Sequence, residues 1–348
     1  MQSDAVLVVG PSWVGDMVLS QSLFRLLKER NPTAAIDVLA PGWSLPIVAR
    51  MPEVREGIPA GTGHGEFGLG RRRQTGRELR GRYRQSIVLP RSFKSALVPW
   101  FARIPRRTGF RGEHRFGLIN DMRPFDPDVL DKTIKRFMAL GVDSGEPLPE
   151  PPEPALAVSA QNQERFAAAH GLRLDRPVIG MMPGAEFGPS KCWPVEHFAA
   201  LARMLIADGY RVWLLGSAKD GNAGSQVSAR ASAGEDLVDL CGQTSLADAI
   251  DVLALTEQVV TNDSGLMHVA AAVGVHVHAM YGPTSPFFVA PLTDRKDIYF
   301  LELDCSPCRQ RVCPLGHHNC LRQIAPADVL ARLHERRGGG AGARRRVP

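Results

Sequence analysis

Carboxylates beside glycine turns, one lysine in a Gly/Ser loop and a set of cysteines are the residues that could do chemistry here. The run Thr261-Asn262-Asp263-Ser264-Gly265-Leu266-Met267-His268 concentrates the first kind. Ser264 and Gly265 suit a phosphate, because backbone N–H groups at a helix start attract anions. Asp263 would repel that phosphate, so it is assigned a hydroxyl-bearing part of the ligand, such as a sugar; helix capping is the simpler alternative. A second carboxylate, Asp16, follows Gly10-Pro11-Ser12-Trp13-Val14-Gly15. It reads either as a general base at the mouth of a cleft or as an acid stabilised by a helix dipole. In Pro183-Gly184-Ala185-Glu186-Phe187-Gly188-Pro189-Ser190-Lys191, the lysine is the natural point charge for a departing diphosphate. Asp220, after Gly216-Ser217, is placed to take a ribose hydroxyl.

Several chemistries are set aside. A P-loop needs Lys and Ser/Thr where Asp16 and Met17 stand, and a nucleophile elbow needs Gly where Val14 stands. No G-x-G-x-x-G opens either half of the chain, which disfavours hydride transfer. Ser264 and His268 share a helix face but lack the third member of a triad. Asp126-Pro127-Asp128 has the spacing of metal-dependent sugar transferases, yet its place in a Pro-containing turn favours capping.

The elements that must position these residues alternate. Strands are predicted at Ala5–Val9, Ile36–Ala40 and Ser86–Pro90 in the first half, with a helix through Leu19, Leu23, Leu26 and Leu27. Gly61 through Gly70 is read as a mobile loop, Ile104–Arg111 as an exposed basic turn, and Val129–Leu140 as an amphipathic run. The Pro-rich stretch from Gly145 to Pro154 reads as a linker. Beyond a helix at Ala160–His170, strands are expected at Val178–Met182, Arg211–Leu215, Leu237–Leu240, Gln258–Val260 and His276–Met280. Alternation with helices means a parallel, doubly wound sheet whose loops, with Gly184, Ser190, Ser217 and Thr244, line one edge. The division expected is a domain at 1–150, a second at 155–325, then a terminal helix at Pro326–Arg337 and a disordered basic tail to 348.

With 44% hydrophobic and 22% charged residues, the chain has the composition of an ordinary soluble protein, without a membrane-spanning run or signal-peptide start. A cytoplasmic location is expected. Between Arg71 and Arg115 stand thirteen Arg and one Lys against two acids, a block of +12 in a chain of +6. Such a block faces solvent or an anionic partner. With no zinc finger, RNP motif or helix-turn-helix, nucleic acid is not favoured. Cys305-x2-Cys308-x4-Cys313-x6-Cys320 encloses His317 and His318. That spacing departs from the two-plus-two zinc pattern, so a structural metal and reduced thiols both stay open.

The loop around Asp16, P-G-A-E-F-G-P-S-K-C-W-P, G-S-A-K-D, T-N-D-S-G-L-M-H-V-A-A-A and Y-G-P-T-S-P together resemble the ADP-heptose:lipopolysaccharide heptosyltransferases, and heptosyltransferase II above all. The resemblance runs from about Ala5 to the last helix. It implies an α/β GT-B fold, two Rossmann-like doubly wound domains facing across a cleft. It implies inverting transfer of L-glycero-D-manno-heptose from ADP-heptose to the first heptose of the Kdo–lipid A inner core, with no cofactor or metal required. Asp16 would be the base and Lys191 the diphosphate contact. Gly184, Ser190, Ser217, Asp220, Thr244, Asp263, Ser264, Gly265, Leu266 and His268 would hold the donor. Gly15 and the basic loops with Arg91, Lys94, Arg106, Arg107 and Arg111 would meet the acceptor, at the inner face of the cytoplasmic membrane. Heptosyltransferase I, another GT-B transferase or a non-enzymatic anionic-glycan binder are the alternatives.

Overall fold

The computed structural model describes residues 4–61, 63 and 66–337. The chain forms two compact units with their boundary between Leu156 and Ala157. The first contains β1 (Val6–Val9), β2 (Ile36–Ala40), β3 (Val54–Pro59), β4 (Gln85–Val88), β5 (Arg106–Phe110) and β6 (Asp121–Arg123). They pair in parallel in the order β3-β2-β1-β4-β5-β6. The central strands are buried and largely apolar because helices cover both faces of a parallel sheet. Leu7, Val9, Leu39, Val88 and Val98 meet in a core on one side. Gly76 lets the helix Leu69–Glu78 press on Leu97–Phe101; a Cβ there would stand 2.5 Å from the Phe101 Cβ. A carboxylate also lies inside this layer. Asp37 of β2 is fully buried, and its carboxylate accepts hydrogen bonds from the Arg55 guanidinium and the Tyr83 hydroxyl (2.6 Å).

The second unit contains β7 (Val178–Met182), β8 (Arg211–Leu214), β9 (Leu237–Asp239), β10 (Gln258–Asn262), β11 (His276–Met280) and β12 (Lys296–Tyr299). Its parallel order is β12-β11-β10-β7-β8-β9. Trp193, Phe198, Tyr210 and Leu214 build its core, and the helix Pro326–Arg337 closes it with Val329 and Leu333. Numbered within its own unit, each sheet has the same 3-2-1-4-5-6 order. Strand order therefore reverses between β1 and β4, and again between β7 and β10. At such a reversal the two flanking loops part to opposite sides, opening a crevice at the carboxyl ends of the strands.

Strands Ile36–Ala40, Val178–Met182 and His276–Met280 and the last helix have the bounds expected from sequence. Four strands were not expected. β3, β6 and β12 are short or charged and lie at or next to sheet edges, where one face needs no apolar side chain. The fourth corrects the basic turn at Ile104–Arg111, most of which is β5. Thr108 and Phe110 are buried there, while Arg106 pairs with Asp121 at 2.8 Å. The loop expected over Gly61–Gly70 gives way at Leu69 to helix, and residues 62, 64 and 65 lie outside the described residues, as does the tail from 338. The run Val129–Leu140 is helical only over Thr133–Ala139, and Asp126 closes a turn on the Asp128 amide at 2.9 Å. The Pro-rich stretch is extended but held down along the first helix. Ser22 Oγ donates to the Pro152 carbonyl at 2.6 Å, and Gln21 exchanges two hydrogen bonds with the Ala155 backbone.

The basic block is also partly internal. Arg115 is 1% exposed, and its guanidinium donates to the carbonyls of Pro90 (2.7 Å) and Phe110 (2.5 Å), joining the ends of β4 and β5. Burial, then the charge of Arg91, pushes its pKa down to about 10. Without this strut the Phe110 carbonyl loses both guanidinium donors and Pro90 keeps only the Ser95 hydroxyl, and a buried acceptor left unsatisfied costs about 1–3 kcal/mol. Arg115→Met is therefore expected to lower the urea midpoint markedly; a midpoint equal to that of the parent chain would show that the strut carries no load.

Candidate active site

At the crevice of the second sheet the loop after β7 meets the loop after β10. Lys191, in the turn Pro189–Lys191, points its Nζ at Asp263 Oδ2 (2.5 Å). Thr284, from the loop after β11, donates its hydroxyl to the same oxygen at 2.6 Å. The two charged side chains are nearly buried, 13% and 9% exposed. Asp263 is thus no helix cap. Ser264 stands at the N-cap of the helix Gly265–Ala272 without a side-chain cap hydrogen bond. Lys191 and Asp263 were assigned to different parts of a ligand, and the structure brings them together. Their pairing cancels the negative charge that would have repelled a phosphate from the amides of Gly265 and Leu266.

Asn262 fixes this arrangement. Fully buried, it accepts the Trp193 amide on Oδ1 (2.8 Å) and donates from Nδ2 to the Pro183 carbonyl (2.8 Å). The loop holding Lys191 is thereby tied to the strand that carries Asp263. Ser190 is spent otherwise: its hydroxyl donates to the Gln310 carbonyl at 2.5 Å. Asp220 and Ser217 form a capping box, with Oδ2 accepting the Ser217 amide and hydroxyl, both at 2.8 Å. The other oxygen of Asp220 lies where a Cβ on Gly184 would be, 1.9 Å away, so only glycine fits at that position. Thr244 is half-buried in the loop after β9, whose Gly242 amide donates to the Gly216 carbonyl at 2.9 Å. His268 is 3% exposed, and its Nδ1 has no hydrogen-bond partner.

In the first unit the corresponding edge carries Gly15 and Asp16 after β1 and Arg91 after β4. Asp16 is half-buried in the first turn of the helix Val14–Arg30. Arg91 and Arg111 line a cleft of about 930 Å³ with Ser92, Arg123 and Phe125. The Arg91 guanidinium stacks on Phe125 (4.4 Å), and Arg111 lies over Phe116 (5.6 Å). Gly112 lets the two loops cross, since a Cβ there would stand 2.1 Å from the Arg91 carbonyl oxygen. Lys94 and Arg107 do not line this cleft. Lys94 donates to the Glu66 carbonyl, and Arg107 spends its guanidinium on the carbonyls of Ile104, Leu118 and Gly117.

Sequence reasoning overlooked three residues. Asn262 and Thr284 sit inside runs it had singled out, but neutral polar side chains carry no charge to mark them. Trp43, after β2, keeps 44% exposure while its Nε1 donates to the Ser12 carbonyl at 3.1 Å, beside the Asp16 turn.

Residues 72–319 match glycosyltransferase family 9 (heptosyltransferase). The chain is 47% identical to lipopolysaccharide heptosyltransferase 2 of Salmonella typhimurium and 46% identical to that of Escherichia coli, each over 94% of this chain and 97% of the relative. The solved E. coli ADP-heptose lipopolysaccharide heptosyltransferase II superposes with a TM-score of 0.83 at 44% identity, over 95% of this chain and 98% of that one. An E. coli heptosyltransferase solved with ADP-2-deoxy-2-fluoro heptose shares the fold at 20% identity and a TM-score of 0.70, over 95% and 99% of the two chains. Two Rossmann-like units with ligand-type loops at both crevices define a glycosyltransferase of the GT-B fold. The chain belongs to glycosyltransferase family 9, the heptosyltransferases.

Burial holds His268 neutral and pushes its pKa down to about 4, against a smaller upward pull from Asp263. The unfolded chain takes up this proton near pH 6.5, so the stability from a neutral imidazole is complete above that value and is lost as pH falls toward 4. Urea titrations across that window should show falling stability, with a shallower slope in His268→Gln. An unchanged slope in the variant would assign the effect to other groups.

Proposed function

We propose that the chain moves L-glycero-D-manno-heptose from ADP-heptose to the first heptose of the Kdo–lipid A inner core, inverting the anomeric centre. The observation that carries this reading is near-full-length similarity to heptosyltransferase 2 proteins at 44–47% identity. The second unit holds the donor in this reading, and the first contributes the base. Asp16 takes a proton from the acceptor hydroxyl as its oxygen attacks the anomeric carbon. The bond from that carbon to the diphosphate breaks, and ADP leaves with its charge met by Lys191 and the amides of Gly265 and Leu266. As Lys191 turns to the diphosphate, Asp263 keeps Thr284 and gains a donor hydroxyl. The cation is then supplied by protein, and the transfer needs no metal.

Arg91 and Arg111 would meet the anionic groups of the acceptor, since each guanidinium rests over an aromatic ring at the cleft and, among the described residues, Arg91 commits only its Nε, to the Arg111 carbonyl. No described helix is long and apolar enough to cross a membrane. The lipid anchor of the acceptor would bring the enzyme to the inner face of the cytoplasmic membrane as a peripheral protein.

ADP release with purified truncated cores tests the reading. Turnover is expected on a core ending at the first heptose and absent on a core ending at Kdo; the reverse preference would overturn the acceptor assignment. Asp16→Asn should cost about 10²–10⁴-fold in kcat while ADP-heptose affinity holds, and substantial turnover would remove Asp16 from the role of base. Raising ionic strength should raise the acceptor KM, less steeply in Arg91→Ala, because exposed charges are screened within about 8–10 Å at physiological salt. An acceptor KM indifferent to salt would discard the anionic contact.

A further inference from the structure

From residue 300 to residue 318 the second unit has neither strand nor helix, and most side chains there face solvent. The half-buried residues include Cys305, Cys308 and Cys313, and Cys320 follows on the short helix Asn319–Arg322. All four are free thiols and line one small cavity of about 20 Å³, together with His317. A space of that size, lined by sulfur, admits about one small occupant. Nothing apolar fills it, and the segment has no core of its own.

The backbone around the cavity is shaped for sulfur. Arg309, directly after Cys308, has φ of 57°, and Gly316, three residues after Cys313, has φ of 70°. A non-glycine residue held in this region is strained and persists only where its surroundings fix it. The amides of His318, Leu315, Gly316 and His317 surround the Cys313 sulfur. Four sulfurs converging on one space are placed as a ligand set would be.

We propose that Cys305, Cys308, Cys313 and Cys320 bind one structural zinc ion. Four thiolates in a tetrahedral shell suit zinc. Binding releases the thiol protons to solvent and oxidises nothing. In this structure no three of the four sulfurs lie within 4.8 Å of one another. Zinc–sulfur bonds of about 2.3 Å imply sulfurs about 3.8 Å apart, so loading draws the two turns inward. The rival cluster, His276, His278 and Asp297, already has its ligand atoms within 4.8 Å, but it is closed internally. Arg336 holds both oxygens of Asp297, and His278 is engaged by Gln258 and Tyr299.

The consequence reaches the crevice. The Arg311 and Gln310 carbonyls accept the amide and hydroxyl of Ser190, the neighbour of Lys191. The Arg309 amide donates to the Pro283 carbonyl (2.7 Å), and Ser306 Oγ donates to that of Gly282 (2.5 Å), both in the loop of Thr284. The zinc would thus brace the two loops whose side chains hold Asp263. This second part rests on the donor role of Lys191; the metal content does not.

The test is elemental analysis of the full chain purified without chelators, followed by cobalt exchange. About one equivalent of zinc, and a cobalt spectrum with sulfur-to-metal charge transfer and tetrahedral d–d bands, are expected. Cys308→Ser and Cys313→Ser should lose the metal, and Cys241→Ser, outside the cluster, should keep it. If the serine variants fail to fold, metal release from the parent chain by a thiol reagent gives the same answer. Freely reacting thiols with no stoichiometric metal, or disulfides among the four, would overturn the site, and stoichiometric iron would overturn the choice of zinc. Metal removal should lower Tm and raise the ADP-heptose KM more than it lowers kcat. If zinc is present but its removal leaves that KM unchanged, the bracing role falls and the site stands.

Discussion

The contact between Lys191 and Asp263 governs the chemistry open to the second unit. A carboxylate beside a helix start repels phosphate, and an ammonium beside it attracts phosphate. The two together, with the Thr284 hydroxyl on the same oxygen, make a nearly neutral node next to uncapped amides. Taking both charges out of water is costly, and such pairs rarely add net stability. In the proposed reading the lysine is a cation already in place, and the carboxylate is a partner it exchanges for another anion. Everything around the node serves to keep it there, from Asn262 bridging two strand ends to Gly184 clearing the space that Asp220 fills.

The first unit uses its charge differently. Its arginines divide into those that close the backbone and those that face a cleft. Arg72, Arg107 and Arg115 spend guanidinium donors on main-chain carbonyls that no strand or helix satisfies. Arg91 and Arg111 lie on aromatic rings, their planes fixed at the rim of a large opening. A net charge counted along the chain cannot separate these uses, because five donors on one side chain serve carbonyls and anions equally well.

That difference shows how much was legible beforehand. Central strands such as Ile36–Ala40 and Val178–Met182 announce themselves, because burial on both faces demands mostly apolar residues, with Asp37 the one exception in these two. Arg106–Phe110 does not: two arginines begin it, and what makes it a strand is pairing with Gln85–Val88. Edge strands such as Lys296–Tyr299 fail for the same reason. Asp16, Lys191 and Asp263 could be picked out by charge and by glycines nearby. That Lys191 closes on Asp263 could not, since they are far apart in the chain and meet only because β7 and β10 are neighbours. Asp220 was given a ribose because its position fits, whereas one of its oxygens is occupied by its own turn.

The stitching of the loops after β7, β8, β9, β10 and β11 has an evolutionary meaning. Main-chain and buried amide hydrogen bonds join one loop to the next, so a change that resizes one disturbs its neighbour. Lineages descending from such an ancestor would find this edge of the second unit, which the proposed reading gives to the nucleotide sugar, hard to alter. The opposite unit, where stacked arginines rim an open space, can accept new side chains one at a time. On that reading, diversification should run through the molecule that receives the sugar, while the molecule that delivers it stays the same.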